Sequence, residues 1–284
     1  MSELEFPRRH KAGGMYERFV KRALDFTIAL VLLACLCPAL LLIALLVRVK
    51  LGSPVVFLQE RVGKDDKFFH IYKFKTMLEP QTRDGRKLSD KEFQDALNEG
   101  KERDLLSDEE RMTKFGRFMR NASLDELPEL FNILTGKMSF VGPRPMFRAN
   151  YEYYTPTENR RHEVLPGLTG LAQINGRSSA SWESRFAHDV YYVDHISFWL
   201  DVKIFLKTFA VVFAGEDATH CGGTPAPFTT CRLRQLADFA KVDEREILAQ
   251  SVEERAALLE RYEQAVSNRE EEKTEEYSPE LRAA

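Results

Sequence analysis

Residues 26–47 read FTIALVLLACLCPALLLIALLV, twenty-two positions from Phe26 to Val47 without a charge. Wound as a helix, this run is about 33 Å long, enough to cross the roughly 30 Å hydrocarbon core of a bilayer. A cleaved secretory signal has an apolar core of about 7–15 residues ending at a small-residue site. This run is longer and gives way to Arg48-Val49-Lys50. A buried helix of a soluble domain would show a polar face. Pro38 sits near the middle, where a missing N–H and a ring clash can kink the helix sharply. Lys21 and Arg22 flank one end, and Arg48 and Lys50 the other. Positive residues mark the cytoplasmic side of a membrane segment. Two basic flanks suit a hairpin that enters and leaves on one face with its break at Cys37-Pro38. A kinked span is the alternative on these residues alone.

Outside this run the chain is ordinary in composition. Its 284 residues are 44% apolar and 30% charged, which excludes a wholly disordered chain, a collagen and a polytopic membrane protein. About 150 residues per domain gives roughly two domains. The net charge of −3 offers no basic excess for nucleic acid. Four cysteines are too few for a disulfide scaffold, which points to a reducing compartment. Charge is unevenly spread: residues 1–80 carry a net +5 and residues 232–284 a net −5. The chain is therefore read in parts.

Val55–Glu60 and Lys67–Phe74 are β-branched and aromatic stretches around a polar turn, a predicted hairpin. Residues 79–112 are charge-rich, with Asp84-Gly85 as a turn and Asn98-Glu99-Gly100 as a helix stop, and read as a mobile insertion. Leu124–Leu134 is a predicted short helix ended by Gly136. Trp182–Val193 and Phe198–Phe213 are predicted helices, the second apolar enough to lie in a membrane interface. Ser251-Val252-Glu253-Glu254 is a capping box opening another helix.

Asp125-Glu126 carries two readings. Asp125 can be an N-cap, and Glu126 can close a capping box with Ser123. Alternatively, an ionised Asp can attack phosphorus, and adjacent carboxylates can share a Mg²⁺ with a substrate diphosphate. Arg144 stands between Pro143 and Pro145, which together pre-orient one guanidinium suited to phosphate oxygens. The bland alternative is an exposed arginine in a rigid loop. Arg120, five residues before Asp125, is a second cationic candidate or a surface residue near a helix end. Gly167, Gly170 and Gly176 permit tight turns and close approach to a ligand, and with Gln173, Asn175 and Arg177 form a candidate nucleotide pocket. The six histidines show no zinc spacing, and no G-x-S-x-G, P-loop or G-x-G-x-x-G occurs.

Together these pieces resemble one family. Met15 to Gly215 is similar to the bacterial sugar transferase domain of the monotopic phosphoglycosyl transferases. The resemblance rests on Lys21-Arg22-Ala23-Leu24-Asp25, the proline-broken apolar run, Tyr72-Lys73-Phe74-Lys75-Thr76-Met77 and Ser123-Leu124-Asp125-Glu126-Leu127-Pro128. It continues through Met138 to Pro145, Pro166-Gly167-Leu168-Thr169-Gly170, Gln173-Ile174-Asn175-Gly176-Arg177 and Asp189-Val190-Tyr191-Tyr192-Val193. It implies transfer of a sugar-1-phosphate from a UDP-sugar to polyprenol (undecaprenyl) phosphate. Asp125 would be the nucleophile forming a phosphosugar–enzyme intermediate, Mg²⁺ would be held at Asp125 and Glu126, and UMP would leave. It adds Lys73 and Lys75 to the substrate-binding candidates. It also implies a re-entrant helix–break–helix at the cytoplasmic face of the bacterial inner membrane, with both termini cytoplasmic.

The expected fold is α+β: a re-entrant membrane hairpin and interfacial amphipathic helices supporting a small cytoplasmic domain with a β-hairpin. The expected parts are a tail (1–14), the membrane hairpin (15–50), the catalytic domain (51–215), a linker (216–231), an acidic helical extension (232–268) and a disordered tail (269–284). The family's break is commonly Ser-Pro where this chain has Cys37-Pro38, a weaker hydrogen-bonding pair. The extension goes beyond the family core and is assigned to docking or homodimerisation. A nucleotide-sugar hydrolase using water as acceptor, and a non-catalytic membrane scaffold, are the rival functions.

Overall fold

The computed structural model describes residues 14–88, 92, 104–175, 181–213 and 227–281. The fold mixes helices with two small two-stranded sheets, and the chain divides into two compact units.

The first unit comprises Ala23–Gln59 and His70–Met138. It is dominated by α1, Arg22–Leu51, the one helix among the described residues long and apolar enough to cross a membrane. A stripe at helical spacing, Leu40, Ile43, Ala44, Val47 and Leu51, packs against Phe74 and Met119. Asp25, Ala29 and Leu33 nearer its start are buried as well, whereas the outward positions are open: Leu41 is 66% and Val49 75% exposed. A helix apolar on every side but packed on only one presents the remainder to lipid. The backbone stays helical through Cys37-Pro38, where the sequence predicts a break in the helix. A proline forfeits one backbone hydrogen bond, and the leucine-rich turns on both sides keep the rest.

The predicted hairpin is present as β1, Val56–Val62, and β2, Phe68–Phe74. Its turn places Asp65 and Asp66 at positive φ, which aspartate tolerates better than most residues. Helices α2, Asp108–Arg111, and α3, Lys114–Asn121, follow. The helix predicted over 124–134 is divided into a 3₁₀ turn, Leu124–Glu126, and α4, Glu129–Leu134. Gly136 follows at φ 80°, as a helix-ending glycine should. Asn98-Glu99-Gly100, with the rest of 89–91 and 93–103 in the charge-rich insertion, lie outside the described residues.

The second unit comprises Met1–Arg22, Glu60–Phe69 and Ser139–Ala284. Strands β3, Ser139–Val141, and β4, Gly167–Thr169, pair in parallel, Ser139 opposite Gly167 and Val141 opposite Thr169. A Cβ on Gly167 would lie 2.1 Å from Gly142 N, so the two backbones cross too closely for any other residue. Around this pair lie α5, Pro156–Asn159, α6, Leu171–Ile174, α7, Trp182–Asp194, and α8, Phe198–Phe213. Helix α8 matches its predicted bounds and exposes Trp199, Leu206 and Phe209 while burying Asp201 and Ile204, the pattern of an interfacial helix.

The C-terminal part holds α9, Phe228–Ala240, α10, Glu244–Ala249, and α11, Val252–Leu281. Leu236, Ala237, Ile247, Leu258 and Leu259 form a core of their own. The predicted linker ends earlier than residue 231, because Phe228 is 2% exposed and packs with Tyr154 and Phe186. The Ser251 capping box forms as predicted, with Glu254 N donating to Ser251 Oγ at 3.2 Å and Ser251 N to Glu254 Oε2 at 2.7 Å. Helix α11 continues to Leu281, where the sequence predicts disorder from 269. Its Glu, Lys and Arg content carries high intrinsic helix propensity.

Candidate active site

Four Ser/Thr-x-x-Glu sequences in the described residues stand immediately before a helix or 3₁₀ turn, where a capping box would form. Three of them close: Ser107 with Glu110, Thr155 with Glu158, and Ser251 with Glu254. The fourth, Ser123 to Glu126, does not. Ser123 stands at φ 53°, in the left-handed region, and its side chain makes no capping hydrogen bond. A non-glycine residue held there costs on the order of 1 kcal/mol, and here it is the left-handed residue that follows the end of Lys114–Asn121. Glu126 Oε1 instead accepts from Lys73 Nζ at 2.6 Å. The capping alternative for this pair is therefore not realised, and both carboxylates are available for other work.

Lys73 reaches this place because β2 is fastened to α4. Asn132, fully buried, accepts from Tyr72 N at 3.0 Å and donates to His70 O at 2.7 Å. One amide thus stands in for a neighbouring strand on either side of Ile71, two residues before Lys73. Glu129, 2% exposed, holds the same ammonium at 3.2 Å. Asp125 is 9% exposed. Burial, and then the negative charge of Glu126, push its carboxyl above the ordinary aspartate range, against the pull of Lys73 and Arg120. A cation beside Asp125 would relieve that cost. Hard carboxylate oxygens suit Mg²⁺, which commonly takes one or two of them and completes its shell with phosphate and water. Among the described residues no group of three or more His, Cys, Asp or Glu side chains is placed to hold a metal, so such an ion would draw most of its ligands from substrate and water.

Arg120 lies on α3 and is aimed by Thr76, to whose Oγ1 its Nε donates at 3.0 Å. The helix comes this close because residue 116 is glycine: a Cβ there would sit 1.7 Å from Thr76 O. Lys75 is turned elsewhere, donating to Ser53 O at 3.2 Å and pairing with Glu79 at 3.4 Å. The first unit thus gathers Asp125, Glu126, Lys73 and Arg120, and leaves Lys75 in a structural contact. Sequence reading missed Asn132, Glu129 and Gly116. Only the helical register of Asn132 and Glu129 beside the acidic pair carried a signal.

In the second unit Arg144 is exposed, in a loop whose carbonyls are each engaged. Pro143 O accepts from Gly167 N at 2.9 Å and Met146 O from Val62 N at 3.1 Å. Arg144 O accepts from Arg161 Nη2 at 2.8 Å and Pro145 O from Arg61 Nη1 at 3.1 Å. The prolines and these four bonds fix the main chain beneath the guanidinium. Gln173 Nε2 donates to Leu168 O at 3.0 Å, and Asn175 Oδ1 accepts from Lys207 Nζ at 2.8 Å. Gly170 and Gly167 crowd the backbone of Gly142, so their smallness serves chain crossing rather than a ligand. Gly176 and Arg177 lie outside the described residues.

The exposed apolar helix suggests membrane association, and the carboxylate pair lies beside the cationic Lys73 and Arg120. The bacterial sugar transferase family model matches residues 16–215, and the chain belongs to that family. It is 45% identical over 197 residues to the uncharacterized sugar transferase EpsL of Bacillus subtilis, a match covering 69% of this chain and 89% of that protein. It is 36% identical over 209 residues to the UDP-galactose-lipid carrier transferase of Erwinia amylovora, covering 71% and 42% of the two chains. It is 38% identical over 206 residues to the UDP-glucose:undecaprenyl-phosphate glucose-1-phosphate transferase of Escherichia coli, covering 70% and 40%. The match spans less than half the length of these last two relatives.

Proposed function

We propose that this enzyme transfers a sugar-1-phosphate from a UDP-sugar to polyprenol phosphate, with Asp125 as nucleophile. The observation that carries the reading is the acidic pair: a capping sequence that does not cap, entered through a strained serine, with Glu126 clamped by Lys73 and Asp125 buried beside it. An oxygen of Asp125 attacks the β-phosphorus, the bond from that phosphorus to the bridging oxygen breaks, and UMP leaves with the bridging oxygen. A phosphate oxygen of the polyprenol phosphate then displaces Asp125, which returns as a carboxylate. Lys73 holds Glu126 in place, and Arg120 supplies positive charge in the same unit. Asp125 and Glu126 would hold Mg²⁺, which supplies charge neutralisation for the diphosphate. Arg144 binds substrate phosphate from its rigid loop. The relatives named for UDP-sugars and undecaprenyl phosphate support the substrate classes.

The same reading places α1 in the inner membrane as a re-entrant hairpin bent at Cys37-Pro38, with both termini on the cytoplasmic face. The basic residues at both ends support it. The chemistry is tested by incubating purified protein with UDP-sugars and Mg²⁺, without lipid, and mapping the added mass by peptide mass spectrometry. A phosphosugar on Asp125, with UMP released in ping-pong kinetics once undecaprenyl phosphate is added, is the expected result. An adduct on Glu126 would reverse the assignment. Steady UMP release without lipid would make the protein a hydrolase.

A further inference from the structure

The extension beyond residue 215, where the family match ends, is not a free appendage. Its polar side chains meet the segment from Glu152 to Glu158, and Phe228 and Gln235 also touch the helix at Trp182–Asp194. Arg232, 2% exposed, pairs with Glu158. Arg255 Nη2 donates to Glu152 Oε2 at 2.6 Å. Glu263 Oε1 accepts from Thr157 N at 3.0 Å and Thr155 Oγ1 at 3.2 Å. Glu158 in turn takes the Thr155 amide at 2.9 Å, closing the cap that starts α5. One turn later stands Arg161, 3% exposed, whose Nη2 bonds Asp189 Oδ2 at 2.7 Å and Arg144 O at 2.8 Å. Polar contacts therefore run from the extension to Glu158, and, after one turn of chain, from Arg161 to the main chain under Arg144.

We propose that the C-terminal extension is an intramolecular brace for the Pro143–Met146 loop, with Arg232 and Arg161 as positioning residues for Arg144. Charge complementarity selects this segment as its seat, since two arginines and a glutamate of the extension meet two glutamates and a capped turn. The link to catalysis rests on the reading of Arg144 as a phosphate ligand; the brace itself does not.

The test is hydrogen–deuterium exchange on full-length protein, read at the Gly167 and Val62 amides, whose acceptors are Pro143 O and Met146 O. Arg232→Gln should speed exchange at both amides by about tenfold or more, because the loop opens locally once its anchor loosens. The Tyr72 amide, held by Asn132 in the other unit, should not change. Arg232→Lys keeps the charge and should recover most of the protection. If Arg232→Gln does not fold, Arg255→Gln at the more open Glu152 pair is read the same way, with a smaller acceleration. Unchanged exchange at Gly167 and Val62 in a folded variant overturns the brace.

A kinetic cycle then tests the link. Arg232→Gln should raise KM for the UDP-sugar more than it lowers kcat, and should add no further loss in an Arg144→Ala background. Additive losses would make the extension a general stabiliser and not a positioning device. Faster exchange together with a fully active Arg144→Ala variant would leave the brace standing and remove the phosphate role of Arg144.

Discussion

Ser123 is held in the left-handed region just past the end of a helix, and two and three residues on stand the buried Asp125 and the Lys73-bound Glu126. The raised carboxyl of Asp125 has a consequence for stability. A carboxyl whose folded pKa exceeds its unfolded one binds its proton more readily when folded. Ionised Asp125 therefore weakens the fold above its folded pKa, and that penalty is relieved as pH falls through the carboxylate range. Asp125→Asn should abolish turnover and the covalent adduct while raising Tm, by about 2–4 °C for each kcal/mol recovered. An unchanged or lower Tm, measured by calorimetry, would mean that Asp125 is stabilised by contacts that its burial does not suggest. Full activity would return the residue to a structural role. Arg144→Lys keeps the charge but loses the planar fork, so kcat/KM should fall by about tenfold or more at unchanged Tm. Near-normal kcat/KM would make Arg144 a structural residue. The acidic pair and Arg144 were legible in the sequence because short, unusual strings carry them. Asn132 was not, because a buried amide bridging two backbones looks like any polar residue on a short helix.

Among the elements, helices were read best where apolar spacing or a cap decided them, as for Phe198–Phe213 and the helix opened by Ser251. The split of the 124–134 segment was hidden, since its Ser-x-x-Glu string is indistinguishable from three others that do cap. What differs is the pull of Lys73 from β2, a contact across 53 positions of sequence. Asn132 is the joint that makes this contact, so Asn132→Leu should be costly. It leaves the part-buried Tyr72 amide and His70 carbonyl without their Asn132 partner, at roughly 1–2 kcal/mol, and lets Lys73 drift from Glu126. The expected outcome is a lower Tm by thermal denaturation and a larger loss in kcat than the fall in stability explains. Wild-type kcat in a folded Asn132→Leu protein would show that the β2–α4 joint does not serve the site. Gly116 is a joint of a second kind, read from geometry and invisible to pattern.

For the whole molecule, the apolar helix was the plainest signal in the chain, and the proposal of a re-entrant topology rests on its flanking charge. Cysteines introduced near residues 14 and 241 of an otherwise cysteine-free variant should both resist a membrane-impermeant maleimide applied to the periplasmic side of intact cells. Labelling of one alone would establish a span. Pro38→Leu should move the population toward that span, because it restores the missing backbone bond at the bend. The extension was read from sequence as an acidic helical piece, yet its seat on Glu152 and Glu158 could not be, because ion-pair partners are chosen by three-dimensional packing. The carbonyls of residues 143–146 have a different consequence. Their bonds hold the loop through its main chain, so cutting back the side chain at 144 leaves the frame standing. A group lost from an intact frame can be supplied from solution. Guanidinium ion added to an Arg144→Ala enzyme should restore part of its turnover in a saturable way, as a small ion of similar length without the planar fork, such as methylammonium, should not.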